Sequence, residues 1–306
     1  MGMDSTAINP VSLQAKEQRQ VDKILKGVEI PAQPKTVLDI YRLMNEPDPD
    51  FRKIAELVTK DVALSAKVIK LINSPFWGVG RKIATIKDAL LLLGLKKFYK
   101  YILTSSLHDA LAGKNSDNEK FGMFWKHCLT TAQVCELISR KSISLSGLVS
   151  PEQAHLAGLF HDCGVPLLMR KFPKYAQLSD SALGGESSVL CDEDEGFGTN
   201  HCLVGCFMTR SWGLATDVCQ AIQYHHDAEW HIGDCLASRK LWAVLVVAEH
   251  IVEDISAAQA NNMQPVCQSI EYEWEDSNRN ILEELYMDDD DMIELKEKAF
   301  NMVAGR

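Results

Sequence analysis

The 306-residue sequence predicts an all-α protein built from two packed helical subdomains. Three observations predict it. Segment after segment places apolar residues three and four apart, the period of a helix with one buried face. These segments are punctuated by helix signals, with Ser, Thr or Asp at their starts and Pro or Gly at their ends. No run alternates apolar and polar residues as a strand does, and no fixed-period repeat occurs. The expected division is an arm or short leading helix over 1–29, a first subdomain over 30–115, and a second over 116–306 that carries a helical extension at its C-terminal end.

The elements follow in order. Ile30-Pro31-Ala32-Gln33-Pro34 marks a turn into a run of helices. In KTVLDIYRLMN, the residues Val37, Ile40, Tyr41 and Met44 form one stripe, and the helix stops at Glu46-Pro47-Asp48-Pro49 because proline lacks the amide and restricts its predecessor. Asp50 caps FRKIAELVTK and Asp61 caps VALSAKVIKLINS. Ser74-Pro75 ends that helix, and a loop spans Gly78 and Gly80. Thr85 with Asp88 has the capping-box pattern that opens IKDALLLLGLKKFYKYILTSSL. The polar stretch 113–118 is the expected subdomain boundary. Beyond it, Trp125 to Arg140 is an amphipathic helix. Ser150-Pro151-Glu152-Gln153 is a strong helix start, and that helix is expected to run to His161-Asp162 with Gly164 as its C-cap. The Ser-, Gly- and acid-rich segment 179–200 is expected to be an exposed loop. CLVGCFMTRSW, DVCQAIQYHHDAE and the stretch from Leu241 to Glu253 are further helices. Asp288 to Asp291 precede MIELKEKAFNMV, where negative charge favours a helix N-terminus; no EF-hand spacing supports a calcium site.

Composition narrows the function. Apolar residues at 46% and charged residues at 24% are those of an ordinary globular protein. No apolar stretch reaches the roughly 18 residues of a membrane span, and the opening residues lack the apolar run of a secretory signal. MGMDST fits the loose Gly2 acylation pattern, but the pattern is short. The expected location is the cytoplasm, without membrane contact. A net charge of −10 repels phosphate backbones, and Arg81, Lys82, Lys87, Lys96, Lys97 and Lys100 have the spacing of ordinary solvated helix faces, so nucleic acid is not an expected partner. The nine cysteines, an odd number with no Cys-x-x-Cys pair, read as free thiols in a reducing compartment, and Cys202 and Cys206 as small buried apolar residues.

Chemistry concentrates in the histidines. His127, His161-Asp162, His201, His225-His226 and Glu249 each fall on or near a separate predicted helix of the second half. Neutral imidazoles and carboxylates are what a borderline divalent metal binds, and Asp162 could bridge two ions. Helices converging on a centre can deliver such ligands from distant parts of a sequence. His108, His155, His231 and His250 read as ordinary structural histidines, and Cys163 as a packed thiol despite its place beside Asp162.

The segment from Ile30 through IPAQPKTVLDIYRLMNEPDPDFRKIAELVTKDVALSAKVIKLINSPFWG and IATIKDALLLLGLKKFYKYIL resembles the opening of an HDOD domain, a relative of the HD phosphohydrolases. The resemblance continues through FWKHCLTTA, AHLAGLFHDCGVPLL, FGTNHCLVGCFMTRSWGL and AIQYHH, covering about Ile30 to Asp227. It implies that the second subdomain is an HD-like helical bundle. It also implies a bacterial signalling module that acts through other signalling proteins. HDOD domains generally lack the metal set of HD enzymes, whereas this chain keeps the order His, His-Asp, His, His-His and an acidic residue. By resemblance, His127, His161, Asp162, His201, His225 and His226 are the metal ligands, with Glu249 in the last position where Asp is usual. The set is similar to the two-metal site of HD-GYP phosphodiesterases, which implies dinuclear iron or manganese, with zinc as an alternative. In an enzyme of that kind, Asp162 would be the catalytic residue. Two departures weigh against turnover: Val165 stands where the enzymes carry a phosphate-binding lysine, and the Gly-Tyr-Pro signature is missing after His226. The expectation is a metal-holding signalling module, with a metal-dependent phosphohydrolase as the alternative.

Overall fold

The structure is a computed structural model and describes residues 23, 25–74, 80–113, 118–175, 188–227, 235–260 and 276–304. Among these the chain is all α, without strands. Residues 1–22 and 24 of the leading arm, the loop at Gly78, the boundary near 114–117, His231 and the segments 179–187 and 264–275 lie outside the described residues.

Helices α1 (Lys35–Met44), α2 (Phe51–Lys60) and α3 (Val62–Ile72) form a small stack, with Val37, Ile40, Ile54, Val58, Val68 and Ile72 buried at its centre. The expected caps are present. Asp50 accepts from the amides of Arg52 and Lys53, and Asp61 accepts from Leu64. Helix α4 (Ile86–Ala112) packs against all three and opens on Thr85, whose hydroxyl accepts from the Asp88 amide at 3.0 Å. It is two helices end to end: Gly94 has φ +73°, a left-handed conformation that breaks the axis. Beyond this break the second segment buries Phe98, Ile102, Leu103 and Leu107.

Helix α5 (Glu119–Lys141) begins earlier than its apolar stripe predicts, because Asn118 caps it through the Lys120 amide. It lies along α6 (Pro151–Phe160), which starts on the predicted Ser150/Gln153 capping box. The crossing is close enough that a Cβ on Gly158 would meet the Ala132 backbone at 2.8 Å. A buried polar knot joins α4, α5 and α6. Lys100 pairs with Glu136 at 2.6 Å, His155 Nδ1 lies 3.2 Å from the same carboxylate, and Arg140 donates to it at 2.7 Å.

Two expectations fail here. Gly164 does not end α6 as a C-cap; α6 ends at Phe160, and Gly164 is the first residue of α7 (Gly164–Lys171). Glycine is required there for a different reason. A Cβ would lie 2.1 Å from the carbonyl oxygen of His201, so the missing side chain is what lets the two backbones approach. The segment 179–200 is not wholly an exposed loop, since α8 (Ser188–Phe197) lies within it and buries Glu193. Its scarcity of apolar residues hid a helix whose inward group is a carboxylate.

Helices α9 (His201–Ser211), α10 (Thr216–Tyr224) and α11 (Leu236–Ala260) complete the bundle, α9 resting on α7 and α10, and α11 on α10, α6 and α5. Trp212, at the end of α9, ties the N-terminal segment to this bundle: its indole donates to Pro31 O at 2.8 Å, and Gln33 donates to its carbonyl at 3.0 Å. Helices α12 (Asp276–Glu284) and α13 (Asp289–Val303) pack on α11. The acidic run acts as predicted, Asp288 and Asp291 forming a reciprocal capping box at the head of α13.

Candidate metal centre

Five elements of the bundle converge on one buried point. Helix α5 presents His127 from its middle. The three-residue step between α6 and α7 presents His161 and Asp162. His201 heads α9, where Asn200 caps the helix by accepting from Leu203 N. His225 and His226 leave the end of α10, and Glu249 projects from α11. All seven residues singled out in the sequence gather here. Nε2 of His127 and His161 lie 3.1 Å apart, and the rings of His225 and His226 are centred 4.1 Å apart. His201 is centred 5.4 Å from His225 and 5.1 Å from His226. Glu249 Oε1 lies 3.4 Å from His161 Nε2 and 3.9 Å from His225 Nε2.

The outer hydrogen bonds decide which nitrogen of each ring faces inward. His161 Nδ1 is 2.7 Å from Gly158 O, and His225 Nδ1 is 2.7 Å from Ile222 O. A carbonyl can only accept, so both Nδ1 atoms carry hydrogen. His201 Nδ1 meets the Glu193 carboxylate at 2.8 Å and is protonated for the same reason. In the neutral rings, Nε2 therefore offers a lone pair to the centre. These three atoms face the Asp162 carboxylate at 3.2 Å (His161), 3.5 Å (His201) and 3.6 Å (His225). Lone pairs set against carboxylate oxygens repel unless a proton or a metal cation lies between them. His225 Nε2 is buried and has no hydrogen-bond partner among the described residues. Asp162 also divides the site: Oδ2 faces His161 and, at 3.8 Å, His127, while Oδ1 faces His201 and His225.

The titration shifts agree with a centre that requires positive charge. Burial alone would raise Asp162, but the surrounding imidazoles of His161, His225 and His201 hold it well below the usual carboxylate range. Burial would depress His161, His201 and His225; instead Asp162 raises His161, Cys202 and Glu193 raise His201, and Cys202 and Glu249 raise His225. His127 is pushed down to about 4 by burial and by His161, and His226 down to about 2 by burial and by His225. Burial raises Glu249 against the opposing pull of His225 and His161. The donor set fits a divalent ion: imidazole lone pairs, two carboxylates, and outer partners that fix the tautomers.

Two residues at the site escaped the sequence reading. Glu193 grips His201 through both its ring Nδ1 and its backbone amide, the latter at 2.8 Å, and accepts from the buried Tyr175 hydroxyl. Cys202, expected to be an inert packed thiol, places Sγ 3.4 Å from His201 Nε2 and 3.6 Å from His225 Nδ1. Burial raises its pKa, but His201 and His225 outweigh that and bring it down to about 7. The adjacency of Cys202 to His201 was the available signal. His155 and His250 lie outside the site, paired with Glu136 and Asp254, as expected of structural histidines. Cys163 is buried and its thiol is pushed well up by burial, as a packed residue should be.

A family model described as the HDOD domain matches residues 30–228. An uncharacterized protein of Treponema pallidum is 24% identical over 223 residues, 69% of this chain and 41% of its own length. A protein of Vibrio cholerae named cyclic di-GMP phosphodiesterase CdgJ is 24% identical over 182 residues, 57% of this chain and 38% of its own. The chain thus spans less than half the length of either relative. Among solved structures, an HDOD domain protein of Geobacter sulfurreducens superposes with a TM-score of 0.65 at 26% identity, covering 94% of this chain and 99% of that one.

Proposed function

Because this chain belongs to the HDOD domain family, we propose that it is a signalling module that acts through contacts with other proteins and holds one or two divalent ions at its histidine-aspartate cluster. One observation carries the metal reading: three buried imidazoles commit their Nδ1 protons to fixed acceptors and turn their Nε2 lone pairs onto one carboxylate. Without an ion the carboxylate draws protons onto these nitrogens, as the raised pKa values of His161, His201 and His225 show, and a divalent cation meets the same need for positive charge. His127, His161, Asp162 and Glu249 would hold one ion; His201, His225 and His226, across Asp162, would hold a second. Iron or manganese is the favoured pair, with zinc as the alternative. A divalent ion bound there supplies Lewis-acid charge. Bound to the folded chain alone, it also stabilises the bundle by mass action.

A second reading is a metal-dependent phosphohydrolase, in which Asp162 would be the catalytic residue. The division of Asp162 between two groups of nitrogens favours it, as does the activity named for the Vibrio cholerae relative. Val165 counts against it. It stands where a phosphate-binding lysine would be and is 2% exposed, packed in the core, so that position offers a substrate anion no charge. The regulatory reading is therefore preferred.

Elemental analysis of protein purified without added metal and without a histidine tag tests the site, with a His161→Ala/Asp162→Ala variant alongside. Near-stoichiometric iron, manganese or zinc is expected in the wild type and none in the variant. No metal, even after reconstitution, would overturn the metal reading. Steady phosphoester turnover abolished by Asp162→Ala would overturn the preference for regulation over catalysis.

A further inference from the structure

The two halves of the site differ in chemistry. Around Asp162 Oδ2, the groups within reach are nitrogen and oxygen donors: His127, His161 and, beside His161, Glu249. On the Oδ1 side, His201, Cys202, His225 and His226 bring one ligand atom each to within 4.8 Å of one another. The sulfur is the new member of that group. Two ligands of a tetrahedral ion, one sulfur at about 2.3 Å and one imidazole nitrogen at about 2.0–2.1 Å, stand roughly 3.5 Å apart. Sγ of Cys202 and Nε2 of His201 are 3.4 Å apart. Cys202 is 2% exposed, and its Sγ lies 3.6 Å from Nδ1 of His225, a ring whose Nε2 has no hydrogen-bond partner among the described residues.

We propose that Cys202 is a thiolate ligand to the ion held on the His201, His225 and His226 side of Asp162, and that it biases this half of the site toward zinc or ferrous iron over manganese or magnesium. Thiolate is a soft donor, and hard ions prefer oxygen. On binding, the metal–sulfur bond forms and the thiol proton leaves to solvent. The helix geometry permits this: His201 and Cys202 are consecutive at the head of α9, and the Glu193 grip on His201 fixes that turn of helix. The thiol four residues on, Cys206, donates instead to Gln223 Oε1 at 3.3 Å.

This inference rests on the metal reading, and cobalt separates the two. The chelator-treated full chain is titrated anaerobically with cobalt(II) and followed by absorption spectroscopy. A saturating near-ultraviolet thiolate-to-cobalt band is expected in the wild type and in Cys206→Ser, and lost in Cys202→Ser. Cobalt ligand-field bands without that charge-transfer band would overturn the thiolate and leave the metal site standing. No bound cobalt at all would overturn both. A band that persists in Cys202→Ser would assign the sulfur elsewhere and overturn this proposal. Should Cys202→Ser fail to fold, X-ray absorption on the metal-loaded wild type gives the same decision: sulfur in the inner shell supports the ligand, and only nitrogen and oxygen overturn it.

Discussion

Replacing Gly164 with alanine should destabilise the fold and disturb the site together, although a glycine near a helix start is ordinarily improved by alanine. The added Cβ would lie 2.1 Å from His201 O and 2.8 Å from His201 C and Cα, where ordinary contact begins at 3.4 Å. These are backbone atoms and cannot rotate aside, so α7 and α9 must part by about 1 Å. Overpacking of this kind costs about 1–3 kcal/mol and sometimes more. Helix propensity returns at most about 1 kcal/mol. A net loss of about 2 kcal/mol is expected, or roughly 4–8 °C in Tm if the change scales as in domains of 150–250 residues. Because the displaced backbone carries His201, bound metal should fall as well. Gly122→Ala is the control. Gly122 lies in α5, with nothing within 4 Å of its would-be Cβ, and should gain about 0.5–1 kcal/mol from propensity alone. Denaturant midpoints, with slopes compared to verify that the transition is unchanged, measure both variants. A Gly164→Ala midpoint at or above the wild type would refute the close-approach argument.

Two further outcomes follow from buried groups. Glu193→Gln keeps the shape of the side chain but weakens its hold on the His201 ring, so metal affinity should fall about 10–100-fold while the circular dichroism of the bundle is retained; chelator competition measures it, and an unchanged affinity would show that Glu193 does not position His201. The knot of Lys100, Glu136, Arg140 and His155 should make the fold sensitive to acid. Burial depresses His155 from 6.5 to about 4 despite Glu136, so the unfolded chain binds a proton that the folded chain refuses, and stability is lost as pH falls from 6.5 toward 4, by about 3 kcal/mol. Burial would raise Glu136, but His155 and Lys100 hold it well below 4.5, so its contribution is intact above that value and is lost at still lower pH. His155→Asn should flatten the upper part of this profile; stability curves of variant and wild type that run parallel between pH 4 and 6.5 would exclude His155 as the cause, with any acid release of metal common to both.

The sequence by itself determined most of the helices and the candidate ligand set of the site. Caps at Asp50, Asp61, Thr85 and Ser150 are local hydrogen bonds between neighbours in sequence, and the structure contains each of them. The order of His127, His161-Asp162, His201, His225-His226 and Glu249 was legible because donor residue types are few and chemically distinct. What surrounds that set was not legible, because it depends on contacts between distant segments. Gly164 looked like a helix stop until the 2.1 Å approach of His201 O supplied its reason. Glu193 lay in a stretch as polar as any loop, and only its burial against His201 and Tyr175 distinguishes it from a solvated carboxylate. Cys202 reads as one more apolar cysteine until packing sets its sulfur against two imidazoles. Local hydrogen-bond chemistry and residue type are written along the chain. Tautomers, close backbone approaches and the donors a metal would meet are fixed only when the helices pack, since each depends on which atom lies across the gap.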